Sequence, residues 1–126
     1  MEDKNLKSSY GQLEQDLSEH IQVLYLTQLG HKPNQVYCQV VDKNITITFE
    51  NPLTQIERLL ASSGKQELAE QVRFTIHKAL LPQLKALIQE VTGASVTDFL
   101  TDSNLETERT TVIAILATPP EVNNYT

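Results

Sequence analysis

Apolar side chains recur at helical spacing from Tyr10 through Leu13, Leu17, Ile21 and Leu24, the one-sided stripe of an amphipathic helix. Ser9 and Gln12 stand at capping-box spacing and Gly30 is a suitable stop, which predicts a first helix over residues 9–29. The period then drops to two. Val36, Cys38 and Val40 alternate with Tyr37, Gln39 and Val41, and Ile45, Ile47 and Phe49 alternate with Thr46, Thr48 and Glu50. The "DKN" between the two runs predicts a tight turn, and so an antiparallel hairpin with one buried and one largely wet face. Asn51 as cap and Pro52 in the first turn predict a short helix whose apolar side is Leu53, Ile56, Leu59 and Leu60.

"SSGK" breaks that helix, and a long one follows over residues 66–92, with Leu68, Val72, Ile76, Ala79, Leu80, Leu84, Leu87 and Val91 on one side. Pro82 lies inside it and predicts a kink; Gly93 ends it. Two strands follow, over 95–101 and 109–117. In the second, "TVIAILA" is apolar in both alternating sets, so it is either a central strand covered on both sides or a strand with one face used by a partner. The order α-β-β-α-α-β-β predicts an α+β fold, a two-layer α/β sandwich with a four-stranded, mostly antiparallel sheet. Residues 1–8 are expected as a flexible start, 9–118 as a single domain and 119–126 as a polar tail.

The bulk numbers agree with one ordinary domain: 126 residues, 40% hydrophobic and 21% charged. A net charge of -6 with a pI near 4.9 argues against an extended nucleic-acid surface. No apolar run approaches the ~20 residues of a membrane span, and "MEDKNLKSSYGQLEQ" has no apolar signal core. A cytoplasmic protein that is not membrane-embedded is the expectation. Cys38 stands alone, so an intrachain disulfide is excluded, and its place in an alternating run marks a core thiol.

The most chemically suggestive stretch is "DFLTDSNLETER", with Asp98, Asp102, Glu106 and Glu108. A calcium loop starting at Asp102 would need Gly where Thr107 stands and Glu where Ile113 stands, so it fails. Between two strands, such a cluster is expected as a solvated hairpin connection. "SSGKQ" lacks the first Gly and the Ser or Thr of a phosphate loop. His20, His31 and His77 lie far apart with no Cys at ligand spacing, so no metal site is expected.

Two constellations remain. Phe74, Leu81 and Ile88 recur every seven residues on the long helix and extend its apolar surface beyond one face. With His77 they either bury the helix between sheet and first helix or form a seam for a second subunit or protein partner. Arg58, Lys65 and Arg73 stand near helix ends, where backbone N–H groups favour anions, and make a candidate anion site.

"GKQELAEQVRFTIHKALLPQLKALIQEVTGASVTDFLTDSNLETERTTVIAIL" resembles the MpsC-like family of small bacterial domains. The matching features are Gly64, Arg73, Gly93, Val96, Asp102 and the apolar strand Val112 to Leu116, preceded by a G-x-x-P exit from the first helix, Gly30 to Pro33. The resemblance covers residues 10–117. It implies an accessory, non-catalytic cytoplasmic protein associated with a sodium-translocating, membrane-potential-generating system that is also linked to inorganic-carbon uptake. It supplies no catalytic residues and no cofactor. The resulting expectation is a regulatory interaction module that forms a homodimer or docks on a protein partner, such as a membrane transport component. The alternative is a small-ligand sensor for an anion or nucleotide.

Overall fold

The computed structural model describes the backbone of residues 2–50 and 53–121, and side chains from Tyr10 onward within those spans. Seven elements follow in order: α1 (Glu2–Leu29), β1 (Gln35–Val41), β2 (Asn44–Glu50), α2 (Gln55–Ser62), α3 (Gln66–Thr92), β3 (Val96–Asn104) and β4 (Arg109–Leu116). The strands form one sheet in the order β1-β2-β4-β3, antiparallel at every step. The expected α+β order and four-stranded sheet are what the chain forms.

Parity along the strands decides the layers, because successive side chains point to opposite faces. Val36, Val40, Ile45, Ile47, Phe49, Val96, Val112, Ala114 and Leu116 point inward and are buried. Against them α1 lays Leu13, Leu17, Ile21 and Tyr25, one residue per helical turn and each at most 1% exposed. From α3 come Leu80, Leu84 and Ile88. Burying such side chains, at roughly 1.5–3 kcal/mol each, is the main stabilising contribution. Cys38 is half-buried against this core, and burial, the largest influence, pushes its thiol up to about 11. It is protonated at neutral pH.

Three details depart from expectation. Helix α1 runs back to Glu2, so Ser9 does not start it, and Gln12 bonds Asp16 instead of closing a capping box. Asn51 and Pro52 lie outside the described residues; α2 begins one turn later, on a capping box in which Thr54 Oγ1 accepts from Glu57 N–H and Glu57 Oε1 accepts from Thr54 N–H. Helix α3 has the expected span, Gln66 to Thr92, with Pro82 inside it. Strand β3 reaches Asn104, so half of the acidic stretch is strand, with the turn confined to residues 105–108.

Two glycines of the resemblance bound α3. Gly64 (φ 78°) turns the chain out of α2, and Gly93 (φ 71°) is the left-handed C-cap, donating to Gln89 O. A β-carbon at Gly93 would meet only the end of the flexible Glu121 side chain, so it is the left-handed backbone that favours glycine there.

Both sheet edges are dressed. On β1, Glu14 Oε2 accepts from Val40 N–H (2.8 Å) and Ser18 Oγ donates to Val36 O (3.3 Å), both from α1. On β3, Asp98 and Asp102 turn back so that each carboxylate accepts from the next residue's N–H, Phe99 and Ser103, at 2.9 Å.

Candidate functional site

Helix α3 turns most of its expected apolar side to the core, with Ile76, Leu80, Leu84, Leu87 and Val91 in or against it, but the buried stripe also takes in polar residues. Its buried positions are Ala69, Arg73, His77, Leu80, Leu84, Ile88 and Thr92. Leu68 is 46% exposed and Ala79 is exposed. Part of the stripe was hidden because Arg73 and His77, two of its members, are polar.

The proposed Phe74 seam does not survive as a surface. Ile88 is fully buried, His77 is 4% exposed and Leu81 is half-buried against the core; Phe74 stays outside, with the Lys78 ammonium 5.4 Å from its ring centre. A seven-residue repeat lags a straight helix by ~20° each time. The Phe74 side therefore drifts into the buried stripe by Ile88.

Arg73 explains why α2 sits where it does. Its Nε donates to Glu57 Oε2 at 2.8 Å and its Nη2 to Glu57 Oε1 at 3.3 Å. Both residues are about 2% exposed. Burial alone would raise the Glu57 carboxyl, but the bonds from Arg73 and the Thr54 backbone outweigh it and hold the group below its ordinary value. Helix α2 thus turns a carboxylate inward, while Ile56 and Leu59 are 66% and 65% exposed. The apolar side expected to bury points largely outward. Glu108, from the acidic turn, accepts from Leu53 N–H at 2.7 Å and from Arg58 at 3.4 Å, pinning the approach to α2.

Next to this pair a polar chain crosses the core. Tyr25 Oη lies 3.0 Å from His77 Nδ1, His77 Nε2 lies 3.4 Å from Thr110 Oγ1, and Thr110 Oγ1 lies 2.8 Å from Ser103 Oγ. Tyr25 and Phe49 pack with ring centres 4.7 Å apart beside the imidazole. Burial, reinforced by the Arg73 charge and opposed by Glu57, pushes His77 down to about 4, so the imidazole is neutral. Burial pushes the Tyr25 phenol up. Above the chain, a cleft of about 170 Å³ opens between α3 and β3, lined by Glu70, Arg73, Phe74, His77, Thr101, Asp102, Ser103 and Leu105.

The three cations of the candidate anion site are not brought together. Arg73 is committed to Glu57, Arg58 reaches Glu108, and each of Arg58, Lys65 and Arg73 lines a different surface cavity. Among the described residues, no group of three or more His, Cys, Asp or Glu is placed to hold a metal ion.

The second feature is the outer face of the sheet. Strand register aligns four rows across it: Gln35–Glu50–Arg109–Asn104, Tyr37–Thr48–Thr111–Asp102, Gln39–Thr46–Ile113–Leu100 and Val41–Asn44–Ile115–Asp98. Tyr37, Val41 and Leu100 are 53–55% exposed, and Ile113 and Ile115 are half-buried. Among the described residues the helices pack on the opposite face. Strand β4 is therefore central within the sheet but covered on one side, which removes the option of cover on both sides among the described residues. The signal for this face was present in "TVIAILA"; what the sequence lacked was the register that sets Leu100 beside Ile113.

The sequence matches the family model described as the Na+-translocating membrane potential-generating system (MpsC) over residues 9–118. The chain belongs to the MpsC family. No curated protein and no solved structure gave a significant match. In this MpsC chain the residues of the resemblance have structural places: Gly64 and Gly93 bound α3, Arg73 anchors α2, and Asp102 dresses the β3 edge. Among the described residues, no helix is long and apolar enough to cross a membrane.

Proposed function

We propose that this MpsC-family chain is a non-catalytic interaction module, a cytoplasmic accessory protein that regulates the membrane ion-translocating system named in its family description. The observation that carries this reading is the uncovered outer sheet face, where Leu100, Ile113 and Ile115 form an apolar cluster on β3 and β4, with Tyr37 and Val41 exposed on β1 beyond the polar β2 residues Asn44, Thr46 and Thr48. Contiguous exposed apolar surface on a small domain favours protein contact over solvent. The buried Glu57–Arg73 pair and the neutral His77 are each committed to partners within the fold, a structural arrangement more than a reactive one.

The test is co-purification from the native cell, with the tagged wild-type chain set against a Leu100→Glu/Ile113→Glu variant and a Lys85→Glu control on α3. The reading expects partners retained by the wild type and the control to be lost from the face variant. Retention of every partner by a folded face variant overturns it.

The cleft over Arg73 and His77 favours a second reading, a small-ligand sensor. Its volume of about 170 Å³ is below the roughly 300–1,000 Å³ of drug-sized sites, which favours a compact polar molecule over a nucleotide. A thermal-shift screen of small carboxylates, amines and inorganic anions tests it; a ligand that stabilises the wild type and not Ser103→Ala supports it, and a flat response to all removes it.

A further inference from the structure

The rows of the outer face are complementary to themselves. A two-fold axis parallel to the strands, set between two sheets packed face to face, lays β1 of one copy over β3 of the other and β2 over β4. Each row then meets its own reversed order. Glu50 of one copy falls opposite Arg109 of the other, twice over by symmetry, and Tyr37 falls opposite Asp102. In the other two rows, Thr46 meets Ile113, Gln39 meets Leu100, Asn44 meets Ile115 and Val41 meets Asp98, with Ile113 and Leu100 near the centre. A two-fold axis across the strands would instead set the Glu50–Arg109 row against Asn44 and Ile115, without charge pairing. Within one chain Glu50 and Arg109 already lie 3.8 Å apart on neighbouring strands, so the parallel axis makes a four-charge cluster of alternating sign.

The area is also in range. Four strands at ~4.8 Å spacing and seven residues at ~3.4 Å rise cover about 19 Å by 24 Å on each copy. Two such faces remove on the order of 1,000 Å² of surface, the lower limit of specific interfaces. Sheets packed this way keep their strands within about 30° of parallel, which holds the row pairing near the axis and loosens it toward the corners.

We infer that the outer sheet face is occupied by a second copy of this chain, in a two-fold, face-to-face, β1-over-β3 dimer. This rests on the reading of the open face as an interaction surface and names its occupant. Because the chain carries a net charge of -6, the copies repel overall. The association is reversible, and the local Glu50–Arg109 pairing sets its geometry.

Two measurements test it. In light scattering across a concentration series, the wild type approaches twice the 14.2 kDa chain mass, and Leu100→Glu/Ile113→Glu stays at one chain mass with an unchanged circular-dichroism spectrum. In a Cys38→Ala background, Tyr37→Cys and Asp102→Cys chains are mixed and treated with a short bismaleimide. The expected product is a cross-linked 37–102 heterodimer, with far less cross-linking from either variant alone, since neither position faces itself. A wild type that remains monomeric throughout overturns the inference, as does a 37–37 product in place of 37–102. If the chain is monomeric and the face variant still loses its cellular partners, the second-copy occupant falls and the interaction reading stands. If it loses none, both fall.

Discussion

Two regions of this molecule reverse the usual distribution of polar and apolar groups. At the α2–α3 end, a carboxylate, a guanidinium and an imidazole are buried. On the outer sheet face, Leu100, Val41 and Tyr37 are more than half exposed. The difference lies in how each is compensated. Glu57 is held by Arg73 and the Thr54 backbone, and His77 by Tyr25 and Thr110. The interior exception is closed within the chain. The exterior band has no such closure, and its apolar atoms gain only when something covers them. The first region should therefore matter for stability and the second for association.

The largest expected effect breaks the closed region. Glu57→Ala leaves the Arg73 charge buried opposite a cavity and removes the reciprocal half of the α2 capping box, and should cost about 3–5 kcal/mol in urea unfolding. Glu57→Met combined with Arg73→Met should recover much of that loss, because the pair's desolvation cost disappears with it. A double variant as unstable as the single one would show that the pair does more than satisfy itself.

Acid provides the next separation. His77 takes a proton near pH 6.5 when unfolded but only near about 4 in the fold. Between these values the unfolded state binds more protons, so stability declines as pH falls from 6.5 to 4, by about 3 kcal/mol in all. Glu57, held below its ordinary value, acts in the same direction: its contribution is present above the unfolded carboxyl value and is lost as pH falls through the folded one. His77→Gln should flatten the unfolding midpoint across that window. A wild-type midpoint constant from pH 6.5 to 4 would contradict the buried neutral imidazole.

The smallest effect on stability is expected on the open face. Leu100→Ser should shift unfolding by no more than about 0.5 kcal/mol, while weakening whatever contact the face makes. A loss of several kcal/mol there would mean that Leu100 belongs to the core, and the contrast between the regions would collapse.

Much of the architecture was legible because most elements carry a single period. The hairpin alternates cleanly from Val36 to Phe49, and Leu13, Leu17 and Ile21 mark the buried side of α1 without ambiguity. The readings failed where a polar residue occupies an interior position. Glu57 sits among Ile56, Leu59 and Leu60, so hydrophobicity alone turns α2 the wrong way round, and Arg73 and His77 extend the buried stripe of α3 beyond its apolar members. Such residues are buried because their partners come from distant segments: Tyr25 is 52 positions from His77 and Glu57 is 16 from Arg73. No local spacing encodes those meetings. The outer face was half legible. Its apolar residues stand in plain alternation, but only pairing across strands assembles them into one surface.

The dressed edges bear on the protein's safety in a crowded cell. An open strand edge is a template for the next chain, and sheet growth along it has no natural end. Here Glu14 and Ser18 occupy backbone groups of β1, while Asp98 and Asp102 cap donors of β3 and put negative charge along that border. A chain with this much β-branched sequence could nucleate fibrils from either side, and both sides are blunted. Neutralising the β3 border with Asp98→Asn and Asp102→Asn would leave the fold nearly intact while removing the charge that keeps one sheet from extending into the next. The acidic stretch that first suggests a metal loop instead caps and charges an open strand edge.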